Sequence, residues 1–241
     1  MSDSDSPVFV DTSALLNYCR VYSGRHRSTE QVINYLHNEK TGDIYTSRHG
    51  KSTFENQIEN RYRLLGHLFH KASDFEDRDD KDESDFIAEI LNYTDLDQQL
   101  PFGLDDSYES DIGSLKDLLR DIGLSEFKSR MYKSRGECNS YQESVELWII
   151  DEYYDRGDRG HWDFNLFLQS TVGPENAERV MDAIYWSREH SSDFVIAGGD
   201  GEIFNKREEI NRLIRNNLSS RDELNIICPE SVAKSSKVSI T

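Results

Sequence analysis

VFVDTSALL, from Val8 to Leu16, sets three apolar residues directly before an acid and two hydroxyls. Three such residues read as a short buried strand, and the change of character at Asp11 marks its end. An acid at that point has two readings. Asp11 or Ser13 could cap a helix beginning near Ala14 by accepting hydrogen bonds from its unpaired backbone N–H groups. Alternatively, Asp11 is a metal-binding carboxylate, because open α/β sheets carry their sites at the carboxyl ends of parallel strands.

Working outward, apolar periodicity predicts a helix over 28–37, a strand over 43–46, and a helix over 52–71 with Phe54, Ile58, Tyr62, Leu65 and Phe69 on one face. Residues 86–151 read as helices joined by turns, among them 111–122 and 141–154. The last third predicts a helix over 174–189, a strand over 194–197, a helix over 206–216 and a strand over 224–228. Strands alternating with helices argue for a parallel sheet. A second strand end then carries an aspartate, Asp200 in DFVIAGGDGEIF. If the two strands are neighbours, Asp11 and Asp200 project into one crevice, which favours the site reading over the cap.

The 241 residues carry 46 acidic and 28 basic side chains, a net charge of −18, and are 36% hydrophobic. The acids are spread along the chain, a pattern that fits a salt-rich cytoplasm, where screening shortens the reach of charge to a few Å. Cys19, Cys138 and Cys228 are isolated and odd in number, so neither a disulfide framework nor a zinc site is indicated. The acidic start MSDSDSP lacks a signal peptide's basic and apolar regions, and no apolar run reaches about 18 residues. The expectation is a soluble cytoplasmic protein with no membrane span.

Hard cations need several carboxylates within a few Å of one another. Glu55 with Glu59, and Glu178 with Asp182, each share a helix face at i, i+4. The charge run of residues 73–86 lacks the central Gly and closing Glu of a calcium loop. GKST at 50–53 lacks the first glycine of a phosphate-binding loop, which would fall at Tyr45. A dehalogenase-type phosphatase would need an Asp where Ser13 stands. His67 and His70 read as helix decoration. Positive charge for nucleic acid gathers in FKSRMYKSR, where Lys128, Arg130, Lys133 and Arg135 alternate with Phe127 and Tyr132, and Arg61 and Arg63 lie closer to Glu55 in the chain.

Together, VFVDTSALL, STFENQI (52–58) and MDAIYWSREHSSDFVIAGGDGEIF (181–204) resemble the opening strand and acid, the second acid and the closing helix, strand and acid of PIN domains. The resemblance is to an acidic, haloarchaeal-type member, and it covers about residues 7–65 and 174–228. It implies a three-layer α/β/α fold with a mostly parallel central sheet and a helical insertion in the middle third. One domain over 1–230 is expected, with an acidic, helical insertion at about 73–150 and a tail at 231–241. It implies a nuclease that uses Mg²⁺ or Mn²⁺ to hydrolyse RNA, with Asp11, Glu55, Asp182 and Asp200 as metal ligands or their supports and Ser13 as the hydroxyl steadying them. Glu178 stands as an alternative to Asp182 for the third acid. The last strand ends in Ala197-Gly198-Gly199-Asp200, where the family has hydroxyl-Gly-Asp. A catalytically degenerate RNA- or protein-binding module is the other reading of that departure. RNA is the expected partner, with an antitoxin-like protein as an open second, although this chain is much longer than the compact toxin nucleases.

Overall fold

The computed structural model describes residues 7–39, 43–76, 83–92, 96–97, 100, 107–157 and 162–232. The rest of the charge run, residues 77–82, and most of the expected tail lie outside them. The chain divides into two compact units, one of Met1–Tyr18, Arg27–Glu55 and Glu143–Thr241, the other of Cys19–His26 and Asn56–Gln142. The helical unit therefore opens earlier than the expected insertion and includes a second, shorter segment.

The first unit is α/β and is built on five parallel strands: β1 (Val8–Val10), β2 (Ile44–Ser47), β3 (Glu152–Tyr154), β4 (Phe194–Ile196) and β5 (Asn225–Ile227). Their order across the sheet is β3-β2-β1-β4-β5, with Phe9 opposite both Tyr45 and Val195. Every residue of β1 and β2 is buried, as strands covered on both faces require. Following β1, the chain steps to β2 and β3 on one side, and it later returns to β4 on the other. The reversal between β1 and β4 is a topological switch point, where the carboxyl ends of neighbouring strands open a crevice.

Around this sheet the chain forms α1 (Thr12–Cys19), which opens at the end of β1, α2 (His26–Glu39), α3 (Lys51–Glu76), which opens after β2, and, after the helices described below, α8 (Pro174–His190). Gly173, at φ 78°, turns the chain into α8, whose first residue is Pro174. Trp186 of α8 is fully buried and packs on Phe9 and Tyr45, ring centroids 5.4 and 5.9 Å away. That packing fixes the face of α8 that carries Asp182 and Arg179.

Two elements differ from the expectation. Residues 141–154 do not form one helix: a helix ends at Ser144, a π-turn spans Val145–Ile149, and β3 follows. The largely apolar stretch from Val145 to Ile150, broken only by Glu146, hides this change, because it satisfies helix and strand patterns alike. The entry to β3 is pinned by Ile44 N–H donating to Asp151 Oδ2 at 2.8 Å. The helix Trp162–Val172 (α7) was not expected either, since Trp162, Leu166 and Phe167 on its exposed side erase the apolar stripe.

The second unit is helical, formed by α3 beyond Glu55, α4 (Glu83–Glu89), α5 (Ser107–Ile122) and α6 (Leu124–Ser144). Leu64, Leu65, Leu68, Phe75, Phe86, Leu115, Phe127 and Met131 make its core. Among the described residues no helix is long and apolar enough to cross a membrane.

Candidate functional site

Asp11 combines both readings of the opening stretch. Its Oδ2 accepts the Ser13 backbone N–H at 2.9 Å and the Ser13 hydroxyl, which caps α1. Its Oδ1 is buried, accepts no hydrogen bond, and lies 3.1 Å from Arg179 Nη1. Ser13 Oγ also accepts the Gly198 N–H at 2.9 Å, so this hydroxyl ties the end of β1 to the loop after β4. Asp200, on that loop, accepts from Asn17 Nδ2 at 2.8 Å. The Ser13 hydroxyl thus contacts both Asp11 and the loop that carries Asp200.

Asp182 belongs to a different set of contacts. Fully buried, it accepts from Ser47 Oγ at 2.6 Å and His49 Nδ1 at 2.9 Å on one oxygen, and from Arg156 Nη1 at 2.9 Å on the other. Glu178 binds the second Arg156 nitrogen and accepts from Asn165 Nδ2 at 2.7 Å. Burial drives the Glu178 carboxyl upward, but the Arg156 and Asn165 hydrogen bonds outweigh it and hold its pKa below the ordinary value. A depressed carboxylate pKa stabilises the fold above the unfolded-state value of about 4.3 and loses that contribution as pH falls through the folded value. Glu178→Gln is therefore expected to cost about 1 kcal/mol at neutral pH, discounted for its partial exposure. In urea titrations the gap between wild type and variant should close on acidification, whereas a gap that widens would contradict the Arg156 pairing.

Glu55 lies one turn into α3 with its side chain 42% exposed, 3.7 Å from Lys51 Nζ. It also contributes to the raised pKa of Tyr153, which burial above all pushes up to about 12. Among the described residues no three His, Cys, Asp or Glu side chains come together as a metal ion would require. The donor chemistry agrees. Both oxygens of Asp182 and of Glu178 are taken by protein donors, and the open oxygen of Asp11 faces a guanidinium. As arranged here, the acids do not fit a divalent cation. Arg156 and Arg179 supply the positive charge that such an ion would bring.

The expected nucleic-acid residues separate as sharply. Arg61 is not available to a phosphate: it is 1% exposed in the helical unit, with Nε 2.8 Å from the buried Asp111. A cation placed on a helix by sequence alone says nothing of which face it takes, and Arg61 falls on the same face as Leu64, Leu65 and Leu68. Arg63 is an exposed partner of Glu59 at 2.9 Å. Arg130 and Lys133 on α6 both approach Glu137, at 3.7 and 3.5 Å, while the Arg135 guanidinium lies over the Tyr62 ring at 4.0 Å. Lys133 and Arg135, with Tyr132, 66% exposed, border an open groove of the helical unit, while Lys128 and Arg130 on the same helix are partly exposed.

Sequence reasoning missed His49, Arg156 and Arg179. The segment Ser47-Arg48-His49-Gly50-Lys51 leaves the end of β2, a placement that would have flagged His49. Arg156 follows β3 by two residues and was hidden with that strand. No family model matches the chain, and no curated protein or solved structure matches it either.

Proposed function

We propose that this chain is an RNA-directed phosphodiesterase of PIN-like, three-layer α/β/α architecture that acts at the carboxyl edge of its parallel sheet. One observation carries the reading. Asp11, Ser13, Asp182 and Asp200 meet the ends of β1, β2 and β4 in the chain order that the PIN resemblance implies, bridged by the Ser13 hydroxyl to Gly198 and by Asp182 to Ser47. Mg²⁺ or Mn²⁺ is no part of this reading as the acids stand, since the one buried oxygen among them that accepts no hydrogen bond, Oδ1 of Asp11, faces Arg179 at 3.1 Å; the Mn²⁺ arm of the test below checks it. RNA approach in a protein of net charge −18 calls for high salt, which reduces the screening length to about 3 Å at 1 M.

A second reading, a degenerate RNA- or protein-binding module, draws on the same arginines. Arg179 against Asp11, and Arg156 between Glu178 and Asp182, neutralise the acids from within. Cleavage of a mixed single-stranded RNA pool in molar KCl, once with Mn²⁺ and once with EDTA, separates the two. The enzyme reading predicts cutting by the wild type and at least a tenfold loss in Asp11→Asn. A folded wild type that cuts in neither buffer would leave the binding module standing.

A further inference from the structure

His49 stands directly on the buried Asp182. Its Nδ1 is 2.9 Å from Asp182 Oδ2, and its side chain is 39% exposed where that of Asp182 is 0%. An ionised carboxylate only accepts, so Nδ1 carries the ring proton and Nε2 is left as the basic nitrogen. Asp182 is itself held by the Ser47 hydroxyl at 2.6 Å and Arg156 at 2.9 Å, which fixes the carboxylate and through it the plane of the imidazole. A partly exposed histidine with one nitrogen locked on a buried, immobilised acid is the arrangement a general base requires.

The surroundings select the substrate. Arg48 and Lys51 flank His49 in the chain, with side chains 68% and 45% exposed. Lys51 also opens a 26-residue helix, whose amino end favours an anion nearby. Exposed cations beside a base, Arg48 3.2 Å from Asp155 and Lys51 3.7 Å from Glu55, with the acids unfit for a divalent ion, suit a phosphate-bearing substrate that carries its own nucleophile. RNA does so in the 2′-hydroxyl next to each phosphodiester.

We propose that His49, held by Asp182, is the general base of an RNA transesterification at this edge, with Asp182 as its positioning residue. His49 Nε2 takes the 2′-hydroxyl proton, the 2′-oxygen bonds to phosphorus, and the phosphorus–O5′ bond breaks. The departing 5′-oxygen takes a proton from solvent, and the imidazolium returns its own to solvent. The products are a 2′,3′-cyclic phosphate and a 5′-hydroxyl, without metal or redox partner. The inference rests on the RNA-phosphodiesterase reading given under Proposed function, and it names that reading's base and substrate class.

The test uses the full chain and an end-labelled mixed-sequence RNA in molar KCl with EDTA. The wild type is expected to cut and to leave cyclic-phosphate ends, and His49→Gln to cut about 10²–10⁴-fold more slowly, the usual contribution of a positioned acid–base group. Because His49 is partly exposed, the variant should fold. Added imidazole should restore part of the rate to His49→Ala, a rescue that a merely structural role would not give. Asp182→Asn should slow cutting at least tenfold and escape that rescue. Metal-dependent cutting that leaves 5′-phosphate ends, at full rate in His49→Gln, would overturn this inference while sparing the phosphodiesterase reading. So would undiminished cutting of RNA with 2′-deoxy substitution at the scissile position. Failure of the wild type to cut in any buffer would overturn both.

Discussion

Asp111→Ala is expected to lose about 3–5 kcal/mol of stability, the cost of stranding buried charge. Asp111 is fully buried in the helical unit and is the acid shared by two guanidiniums, Arg61 through Nε at 2.8 Å and Arg20 through Nη2. The two arginines are 1% and 4% exposed. Burial works against the charge on Arg61, yet the Asp111 carboxylate overrides it and raises the arginine pKa. Without that carboxylate two positive charges remain in a site lined by Tyr22 and Tyr108, whose hydroxyls lie buried there. Set against a typical domain stability of 5–15 kcal/mol, the loss is large enough to show as unfolding of the helical unit at ordinary temperature. Urea denaturation followed by circular dichroism reads it directly. A change under 1 kcal/mol would mean that the triad is solvated.

Gly198→Ala is expected to damage the sheet edge and its activity together. A Cβ at this position would lie 2.7 Å from the Ser13 carbonyl oxygen, 2.9 Å from its carbonyl carbon and 2.7 Å from Asn17 Nδ2. The Ser13 contacts are backbone in the first turn of α1, so relief requires the loop after β4 to withdraw from α1. That movement would pull the Gly198 N–H off Ser13 Oγ and disturb the link between Asp11 and Asp200. Overpacking of this kind costs about 1–3 kcal/mol, and RNA cutting should fall at least tenfold. Gly113→Ala is the matched control: it lies within α5 with nothing within 4 Å of its added Cβ, so helix propensity should stabilise it by up to about 1 kcal/mol. Equal behaviour of the two variants would contradict the close approach at Gly198.

Much of the sheet was legible because its strands are short apolar runs bounded by polar turns. Val8–Val10, Ile44–Ser47 and Phe194–Ile196 fall within a residue of their expected limits, and Asp11 and Asp200 lie at or just beyond strand ends as read. β3 was not legible, since Val145 to Ile150 carries no period that separates helix from strand, and with it went Arg156. The partners of the acids were hidden for another reason. That Asp182 meets Ser47 and His49, more than 130 positions away in the chain, follows from Trp186 packing on β1 and β2, a tertiary fact no local window contains. Arg61 shows the converse, in that a cation beside an expected site became the buried counter-ion of Asp111.

The most direct measurement is the imidazole C–H resonance of His49 in the full chain, followed by NMR in molar KCl during titration with a 2′-O-methylated, uncleavable single-stranded RNA. The account predicts a saturable shift at His49 that Gly198→Ala weakens. Bound RNA that leaves His49 unmoved and shifts only His67 and His70, on the helical unit, would contradict the carboxyl edge as the place where RNA is held.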